Sequence, residues 1–147
     1  MNDLLLRQAQ ISDSRKIFDL RNHPQVRRCS HNINKIDFDA HQDWFKKALS
    51  DKSKHILIAQ RKEDFIGMVR FDLIDNDYLL SWNISPQFQG RGFGKSMLSI
   101  ASKTINGNFK AEIKKNNIAS IRVAEYIGMK LTKQTNDILY YQNDYQQ

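Results

Sequence analysis

The sequence predicts one α/β domain, spanning residues 1–147, in which helices flank a mixed β-sheet. Its length of 147 residues is that of a single domain with a full hydrophobic core. Strand-like and helix-like patterns alternate in the order β-α-α-β-β-β-α-β-α-β-β, which indicates a mixed sheet. A glycine-rich turn at residues 89–94 joins the fourth strand-like run to an amphipathic run.

The first third of the chain reads as a strand and two helices. Residues 4–10 have the pattern of a strand, and Ser12 or Asp13 stands where a residue could cap the next helix. This helix ends before Pro24, because the residue that precedes a proline disfavours the helical conformation. A polar stretch follows, and Asp37 caps a second helix whose apolar residues recur at helical spacing.

The middle of the chain reads as a three-stranded meander. Strand-like runs at residues 55–60, 65–73 and 78–84 are separated by short turns. The glycine-rich turn and an amphipathic helix come next.

The last third begins with a strand at residues 109–114. Asn117 can cap the helix that follows, and Gly128 stands where a helix commonly ends. Residues 131–135 and 138–142 then read as a closing hairpin.

Composition restricts the partners of this domain. The net charge of +7 favours acidic ligands, but the basic residues are dispersed and no nucleic-acid-binding motif occurs. No apolar run approaches the roughly 18 residues of a membrane span. Cys29 is the only cysteine, so no disulfide can form within the chain, and no His/Cys cluster has metal-ligand spacing. Residues 1–7 do not have the pattern of a signal peptide. We therefore expect a cytoplasmic protein without metal, membrane or nucleic-acid partners, as a monomer or homodimer.

The glycine-rich turn is the strongest functional signal in the sequence. It follows a strand-like run and opens a helix, an arrangement that points main-chain N–H groups and the positive end of a helix dipole at a phosphate. Gly92 and Gly94 lack a Cβ, so an anion can approach the main chain closely, and Arg91 and Lys95 add positive charge. The turn predicts a site for a phosphorylated cofactor.

Three phosphate-binding patterns can be compared with this turn. The dinucleotide fingerprint fails because Lys95 stands where its third glycine belongs, and the P-loop fails because Gln89 replaces its first glycine. The third pattern, [QR]-x-x-G-x-[GA], is matched at every position by Gln-Gly-Arg-Gly-Phe-Gly. This match resembles the acetyl-CoA pyrophosphate loop of the Gcn5-related N-acetyltransferase family. The resemblance implies acetyl-CoA as cosubstrate, bound by Gln89, Gly90, Arg91, Gly92, Phe93, Gly94 and Lys95.

A second block is similar to the same family. Asn117-Ile118-Ala119-Ser120, followed by Gly128-Met129, is similar to the family's N-x-x-[AS]…G-[FM] segment. The resemblance implies that Asn117 hydrogen-bonds the pantetheine arm of the cofactor and that Ser120 faces it. A plain helix-capping role for Asn117 fits the same position.

The resemblance also implies a sheet that splays in its centre. In this family the strand before the glycine loop parts from its neighbour, and its unpaired main chain grips pantetheine like an added strand. We therefore expect the main chain of Ile84 and Ser85 to contact the cofactor. A main-chain N–H near Ile84 is then the expected donor to the oxyanion.

The N-terminal half resembles one branch of the family. Arg21-Asn22-His23-Pro24-Gln25-Val26-Arg27, with the stretches at residues 40–45 and 66–72, is similar to amino-sugar N-acetyltransferases of pseudaminic and legionaminic acid pathways. The acceptor implied is a UDP-linked amino-deoxy sugar. Two alternatives stay open: transfer to a peptide N-terminus or small polyamine, which requires an acidic groove, and a non-catalytic CoA sensor.

The acid and base are less evident in the sequence. The family often has a glutamate on the strand before the loop, where this chain has Ser81 and Asn83, so His41 and Asp72 are the candidate bases. His41 also fits a hydrogen-bonded core histidine. The family's helix tyrosine is replaced by Ala124, and Tyr126 is the nearest phenol, roughly 200° around the helix. The candidate acceptor-binding residues are Arg21, Asn22, His23, Arg27, His41 and Arg70.

Overall fold

The computed structural model describes residues 3–143 of the chain. Over that range the strands are β1 (Leu4–Gln8), β2 (Lys54–Arg61), β3 (Asp64–Ile74), β4 (Asp77–Ile84), β5 (Phe109–Lys114), β6 (Lys130–Gln134) and β7 (Ile138–Gln142). The α-helices are α1 (Ser14–Asn22), α2 (Pro24–Arg28), α3 (Phe38–Ser50), α4 (Phe93–Lys103) and α5 (Ile118–Tyr126). Short 3-10 turns lie at Ile11–Asp13 and Pro86–Phe88.

The strands form one mixed sheet in the order β1-β2-β3-β4-β5-β7-β6. The first four strands pair antiparallel, and β2, β3 and β4 form the predicted meander. β5 lies parallel to β4, and the hairpin of β6 and β7 pairs antiparallel with β5. This arrangement confirms the predicted α/β fold with a mixed sheet and a closing hairpin.

Each face of the sheet has its own hydrophobic cluster. Met68 and Val69 are neighbours on β3, and side chains alternate along a strand, so they point to opposite faces. Met68 packs with residues of α1, α2 and α3, including the fully buried Ile17 and Phe45. Val69 packs with residues of α4 and α5, including Met97. Helices therefore cover both faces, as the element order predicts.

The central strands β4 and β5 separate after three paired residues. Leu80 opposite Ala111 is the last pair, although β4 continues to Ile84 and β5 to Lys114. On its other side β4 stays paired with β3 as far as Ile84, which lies opposite Gly67. The splay that the resemblance implied is therefore confirmed.

Two local predictions are wrong. The stretch after Pro24 is helical, because a proline is tolerated in the first turn of a helix, and the Nδ1 atom of His23 accepts the Gln25 N–H to cap α2. The side chain of Asp13 does not cap α1. It is buried, and accepts two hydrogen bonds from Arg7 and one from the Gln10 N–H.

Candidate active site

Two cavities lie on either side of the gap between β4 and β5. The larger, of about 510 Å³, is lined by the glycine loop, the end of β4 and the first turns of α5, and is called the cleft below. The smaller, of about 250 Å³, lies between the sheet and the loop that follows α2, and is called the pocket. Residues that line both cavities are Cys29, Trp82, Asn83, Asn117 and Ser120. The cleft and the pocket therefore meet at the gap.

The glycine loop presents the start of α4 to the cleft. Gly90 and Gly92 have φ angles of +75° and +83°, a conformation that favours glycine, and Gly92 is the residue that precedes the helix. The first N–H groups of a helix have no acceptor within it. Here the N–H of Ser96 is bonded to Gly92 O at 3.2 Å, so the amides of residues 93–95 form the open first turn. This geometry suits an anionic group.

Gln89 lines the cleft, but its main-chain amide is already paired. Its main-chain N–H donates to Pro86 O at 3.2 Å, so this amide is already paired. Its side-chain Nε2 donates to Ile84 O at 3.0 Å. Gln89 thus fixes the end of β4 to the glycine loop while lining the cleft.

The remaining loop residues are arranged around this turn. Gly94 allows α4 to lie against α5, because a Cβ there would come within 3.1 Å of Val123 Cγ2. Gly90, Gly92, Phe93, Gly94 and Lys95 line the cleft. Arg91 instead lies with its guanidinium over the rings of Phe88 and Phe93. Arg122 on α5 also lines the cleft and was missed by the sequence analysis, because no motif marks a basic residue inside a helix.

Both alternatives for Asn117 agree with the structure. Its Oδ1 accepts the N–H of Ser120 at 3.2 Å, which caps α5. Asn117 and Ser120 also lie where the cleft and the pocket meet. The cap therefore holds both residues at the gap.

The main chain of β4 presents alternate amides to the gap. The N–H of Ser85 donates to Ile66 O at 2.8 Å, so it points to β3 and is not available on the cleft side. Main-chain groups of a strand alternate between its two neighbours, so the N–H groups of Trp82 and Ile84 point to the gap. Of the two expected contacts, the Ile84 amide has the required direction and the Ser85 amide does not.

Arg21 and Arg70 form one wall of the pocket. Both guanidinium groups lie over the ring of Trp44, at 4.3 Å for Arg21 and 5.4 Å for Arg70. Burial, and then the neighbouring charge of Arg70, lower the pKa of Arg21 to about 10. Arg21 is therefore still a cation at pH 7.

His41 lies behind this wall and does not line the pocket. It is fully buried, its Nε2 lies 3.0 Å from Ser14 O, and its Nδ1 lies 3.0 Å from Arg21 Nη1. Burial lowers its pKa, the hydrogen bond to Ser14 O opposes this shift, and the charges of Arg21 and Arg15 lower the pKa further. The structure gives His41 the geometry of a hydrogen-bonded core histidine, and its candidate role as a base would require Arg21 to move.

Asp72 is also behind the pocket wall. Its Oδ2 lies 3.5 Å from Arg70 Nε and 3.8 Å from Lys54 Nζ, and its buried Oδ1 has no hydrogen-bond partner among the described residues. The carboxylate compensates the charge of Arg70 and does not reach the pocket. The structure therefore pairs Asp72, a candidate base, with Arg70.

Three acceptor candidates lie outside the walls of both cavities. Asn22 Oδ1 accepts the Ile36 N–H at 2.9 Å, and Arg27 donates to Asn22 O and Ile33 O. His23 caps α2. These side chains hold the segment between α1 and α3 in shape, and their contact with the acceptor stays a prediction.

Tyr126 lies away from the junction of the two cavities. Its side chain is 61% exposed, lines neither cavity, and is covered by Lys95 Nζ at 5.3 Å from the ring. The rotation along α5 that separates it from Ala124 accounts for this position. The candidate acid is therefore not placed near the gap.

Glu112 is a second site residue, besides Arg122, that the sequence did not indicate. It lies on β5 just beyond the last pair with β4, on the strand face opposite the buried Ala111 and Ile113, and lines the pocket. Among the described residues that line the pocket, it is the one with a carboxylate. The alternation of side chains along β5 predicts the face of the sheet on which Glu112 lies. It does not predict that Glu112 lies beside the gap.

The loop after α2 covers the pocket and is tied to β5. His31 Nε2 lies 3.0 Å from Glu112 O, and Lys114 Nζ donates to Ser30 O at 3.1 Å. Glu112 O is the carbonyl left unpaired where β4 departs, so a histidine side chain occupies the position that a strand would take.

Within residues 3–143, no group of three or more His, Cys, Asp or Glu side chains has a metal-binding arrangement, and no helix is long and apolar enough to cross a membrane.

Comparisons with known proteins agree with this geometry. The family model described as "Acetyltransferase (GNAT) domain" matches residues 3–130. A comparison with curated protein sequences gave no match.

Solved structures share the fold at low sequence identity. A spermidine N-acetyltransferase from Vibrio cholerae, in complex with CoA and spermine, is 19% identical and gives a TM-score of 0.85 over 97% of this chain and 95% of that one. A domain from Methanocaldococcus jannaschii is 20% identical, with a TM-score of 0.84 over 95% of this chain and 96% of that one. The putative acetyltransferase yncA from Salmonella typhimurium, with acetyl-CoA, is 22% identical, with a TM-score of 0.78 over 96% and 93%.

None of these findings identifies the amino-sugar branch. The splayed sheet, the open first turn of α4 and the family match over most of the chain lead to one conclusion. The chain belongs to the GNAT acetyltransferase family and is an acetyl-CoA-dependent N-acetyltransferase.

Proposed function

We propose that the chain acetylates the primary amine of a small molecule that enters the pocket and meets the acetyl group at the gap. The observation that carries this proposal is the junction of the two cavities, with Glu112 on the pocket side. A cleft for acetyl-CoA and a separate pocket for the acceptor are what a direct transfer between two bound substrates requires.

The chain's own groups can assist each part of the transfer. Acetyl-CoA supplies an activated acetyl group, and the C–N bond forms as the C–S bond breaks. Glu112 is placed to take the proton of the amine, directly or through water. The N–H groups of Trp82 and Ile84, which point to the gap, are the donors available to the negative charge that develops on the carbonyl oxygen.

The leaving thiolate needs a proton from a group at the junction. Ala124 has none to give, and Tyr126 is remote from the gap. Ser120 lines both cavities, so its hydroxyl or a water molecule beside it is the proton source in this proposal.

A polyamine is the first candidate acceptor. It is the acceptor of the Vibrio cholerae enzyme, which shares this fold over nearly the whole chain. The carboxylate of Glu112 could attract a cationic amine to the junction.

A nucleotide-linked amino sugar is the second candidate, and a different observation favours it. The pocket has two guanidinium groups, from Arg21 and Arg70, against the one carboxylate of Glu112. Paired guanidiniums suit a diphosphate, and they would repel the additional charges of a polyamine.

A CoA sensor without catalysis is the rival from another class, and the absent helix tyrosine favours it.

An assay of thiol release separates these candidates. The protein is incubated with acetyl-CoA and, separately, with spermidine, a UDP-linked 4-amino-4,6-dideoxy sugar and a short peptide with a free N-terminus. We expect amine-dependent release of CoA with one of the small molecules and its loss in the Glu112→Gln variant. Tight acetyl-CoA binding without release for any amine would support the sensor and refute the transfer.

A further inference from the structure

The tautomer of His41 follows from its two neighbours. Nε2 lies 3.0 Å from Ser14 O, and a carbonyl oxygen can only accept, so Nε2 carries the hydrogen. In the neutral ring Nδ1 is then bare, and it accepts a hydrogen bond from Arg21 Nη1 at 3.0 Å. The Ser14 contact fits either protonation state of the ring, whereas the Arg21 contact requires the neutral form.

Arg21 has few other anchors. Its guanidinium lies over the ring of Trp44, which restricts its plane and leaves its donors unfixed. Arg70 lies over the same ring, so the two cations repel each other. The bond to His41 Nδ1 is the contact that fixes the direction of Arg21 within the pocket wall.

The surroundings of His41 oppose its protonation. Four aromatic rings enclose it, from Phe18, Phe38, Trp44 and Phe45. The charged groups that act on it, Arg15 and Arg21, are both cations of α1, and Arg70 on β3 acts on Arg21. A proton on Nδ1 would set two N–H donors and two positive charges face to face at 3.0 Å. Protonation of the ring and the observed place of Arg21 are therefore incompatible.

We propose that His41 is a positioning residue that holds Arg21 in the acceptor pocket while neutral and releases it when protonated, so that acceptor binding weakens at acidic pH. This inference rests on the proposed function of the pocket and deepens it. It applies to an anionic acceptor such as the nucleotide-linked amino sugar, which the two guanidiniums suit. A polyamine, which Arg21 repels, should not bind more weakly when Arg21 is released.

The first test needs no acceptor. In ¹⁵N-histidine NMR at pH 7.5, assigned with the His41→Gln variant, we expect His41 to be neutral with its hydrogen on Nε2. A hydrogen on Nδ1, or a charged ring, would refute the proposed contact. Since no amine is present, this result is independent of whether the enzyme acetylates any member of the panel.

The second test compares acceptor KM with kcat between pH 4.5 and 8.5. The acceptor is the UDP-amino sugar, or spermidine if that amine is the one that releases thiol. Relative to His41→Gln, whose amide does not titrate, the wild type should show a KM for the UDP-amino sugar that rises as pH falls below the ordinary histidine pKa of about 6.5, up to about tenfold, the size of one hydrogen bond to a charged group. The KM for spermidine should instead fall over this range, because release of Arg21 relieves the repulsion. The acetyl-CoA KM should change equally in both proteins. A constant KM ratio across this range would overturn the proposal.

Two further variants test whether the change of the acceptor KM with pH comes from the contact between His41 and Arg21. Arg21→Lys removes the bond to Nδ1 while His41 remains, so its acceptor KM should lose the same acidic rise. His55→Gln changes a histidine that lines neither the cleft nor the pocket, and it should keep the wild-type profile. An acidic rise that persists in Arg21→Lys would assign the effect to another group.

Discussion

Leu80 of β4 lies opposite Ala111 of β5, and this is the last pair that the two strands form. Beyond it the strands diverge, and α5 begins with Asn117 beside the opening. The cleft with the glycine loop therefore reaches the pocket with Glu112 through the sheet itself.

Replacing Gly92 with Asp should abolish acetyl-CoA binding. Gly92 has a φ of +83° and precedes the open first turn of α4, so a side chain there would meet the anion and its carboxylate would repel it. Calorimetry should show a loss of affinity of at least a hundredfold, about 2.7 kcal/mol.

Gly128→Asp is the matched control for this variant. Gly128 has a φ of +89°, lines neither cavity, and a Cβ there would meet no atom within 4 Å. It carries the same backbone strain and the same charge change, so it should lose stability and keep its affinity. An acetyl-CoA affinity that is the same in Gly92→Asp as in Gly128→Asp would mean that the loop does not bind the cofactor.

Gly67→Ala should distort the end of β4. A Cβ at Gly67 would lie 2.3 Å from Asn83 O and 3.1 Å from Ile84 Cα, which are main-chain atoms that cannot rotate away. We expect a loss of about 1–3 kcal/mol in the free energy of unfolding, measured in urea. Weaker acetyl-CoA binding should accompany it, since the Ile84 amide would be displaced. Wild-type stability would contradict the register of β3 against β4.

Glu112→Gln should lower kcat without changing acetyl-CoA affinity. The amide keeps the shape of the side chain and cannot take a proton, so turnover should fall roughly 10²–10⁴-fold. Glu63→Gln, in the exposed turn between β2 and β3, is the control and should be unaffected. A kcat within twofold of the wild type would exclude Glu112 as the base, and His41 and Asp72 would then be the remaining candidate bases.

Tyr126→Phe should leave turnover within about twofold, because the phenol is exposed and distant from the junction of the cavities. Ser120→Ala should lower kcat more than Tyr126→Phe does. Steady-state rates with saturating acetyl-CoA compare the two. A large loss confined to Tyr126→Phe would show that the phenol does reach the thiolate during turnover.

Asp13 makes the stability of the fold depend on pH. Its hydrogen bonds from Arg7, both 2.8 Å long, hold its pKa below the unfolded value of about 3.9. The carboxylate therefore stabilises the fold above that value, and the contribution is lost as pH falls through the folded pKa. The difference in unfolding free energy between wild type and Asp13→Asn should be largest near pH 7 and vanish near pH 2. A difference that does not change with pH would contradict the ion pair.

Local signals account for what the sequence could predict. The glycine loop, the Asn117 cap and the order of elements depend on neighbouring residues, and the structure contains all three. The side chains of the pocket depend on contacts between distant segments. Glu112 reaches it because β5 is parallel to β4, and His31 because its loop crosses to β5.

The same limit applies to the acceptor candidates that lie outside the pocket wall. Asn22, His23 and Arg27 lie in the expected segment, but their side chains are used to fold that segment. Residue type indicated a polar acceptor wall, and only Arg21 and Arg70 of the six candidates line it.

The most direct measurement is an amide NMR titration of the ¹⁵N-labelled protein with CoA. If the gap and the open helix turn bind the cofactor, the signals of Trp82, Ile84 and residues 92–95 should shift most. The amides of Asn83 and Ser85, which point to β3, should shift less. Shifts confined to other parts of the chain, with Ile84 and Gly92 unchanged at saturation, would contradict the account.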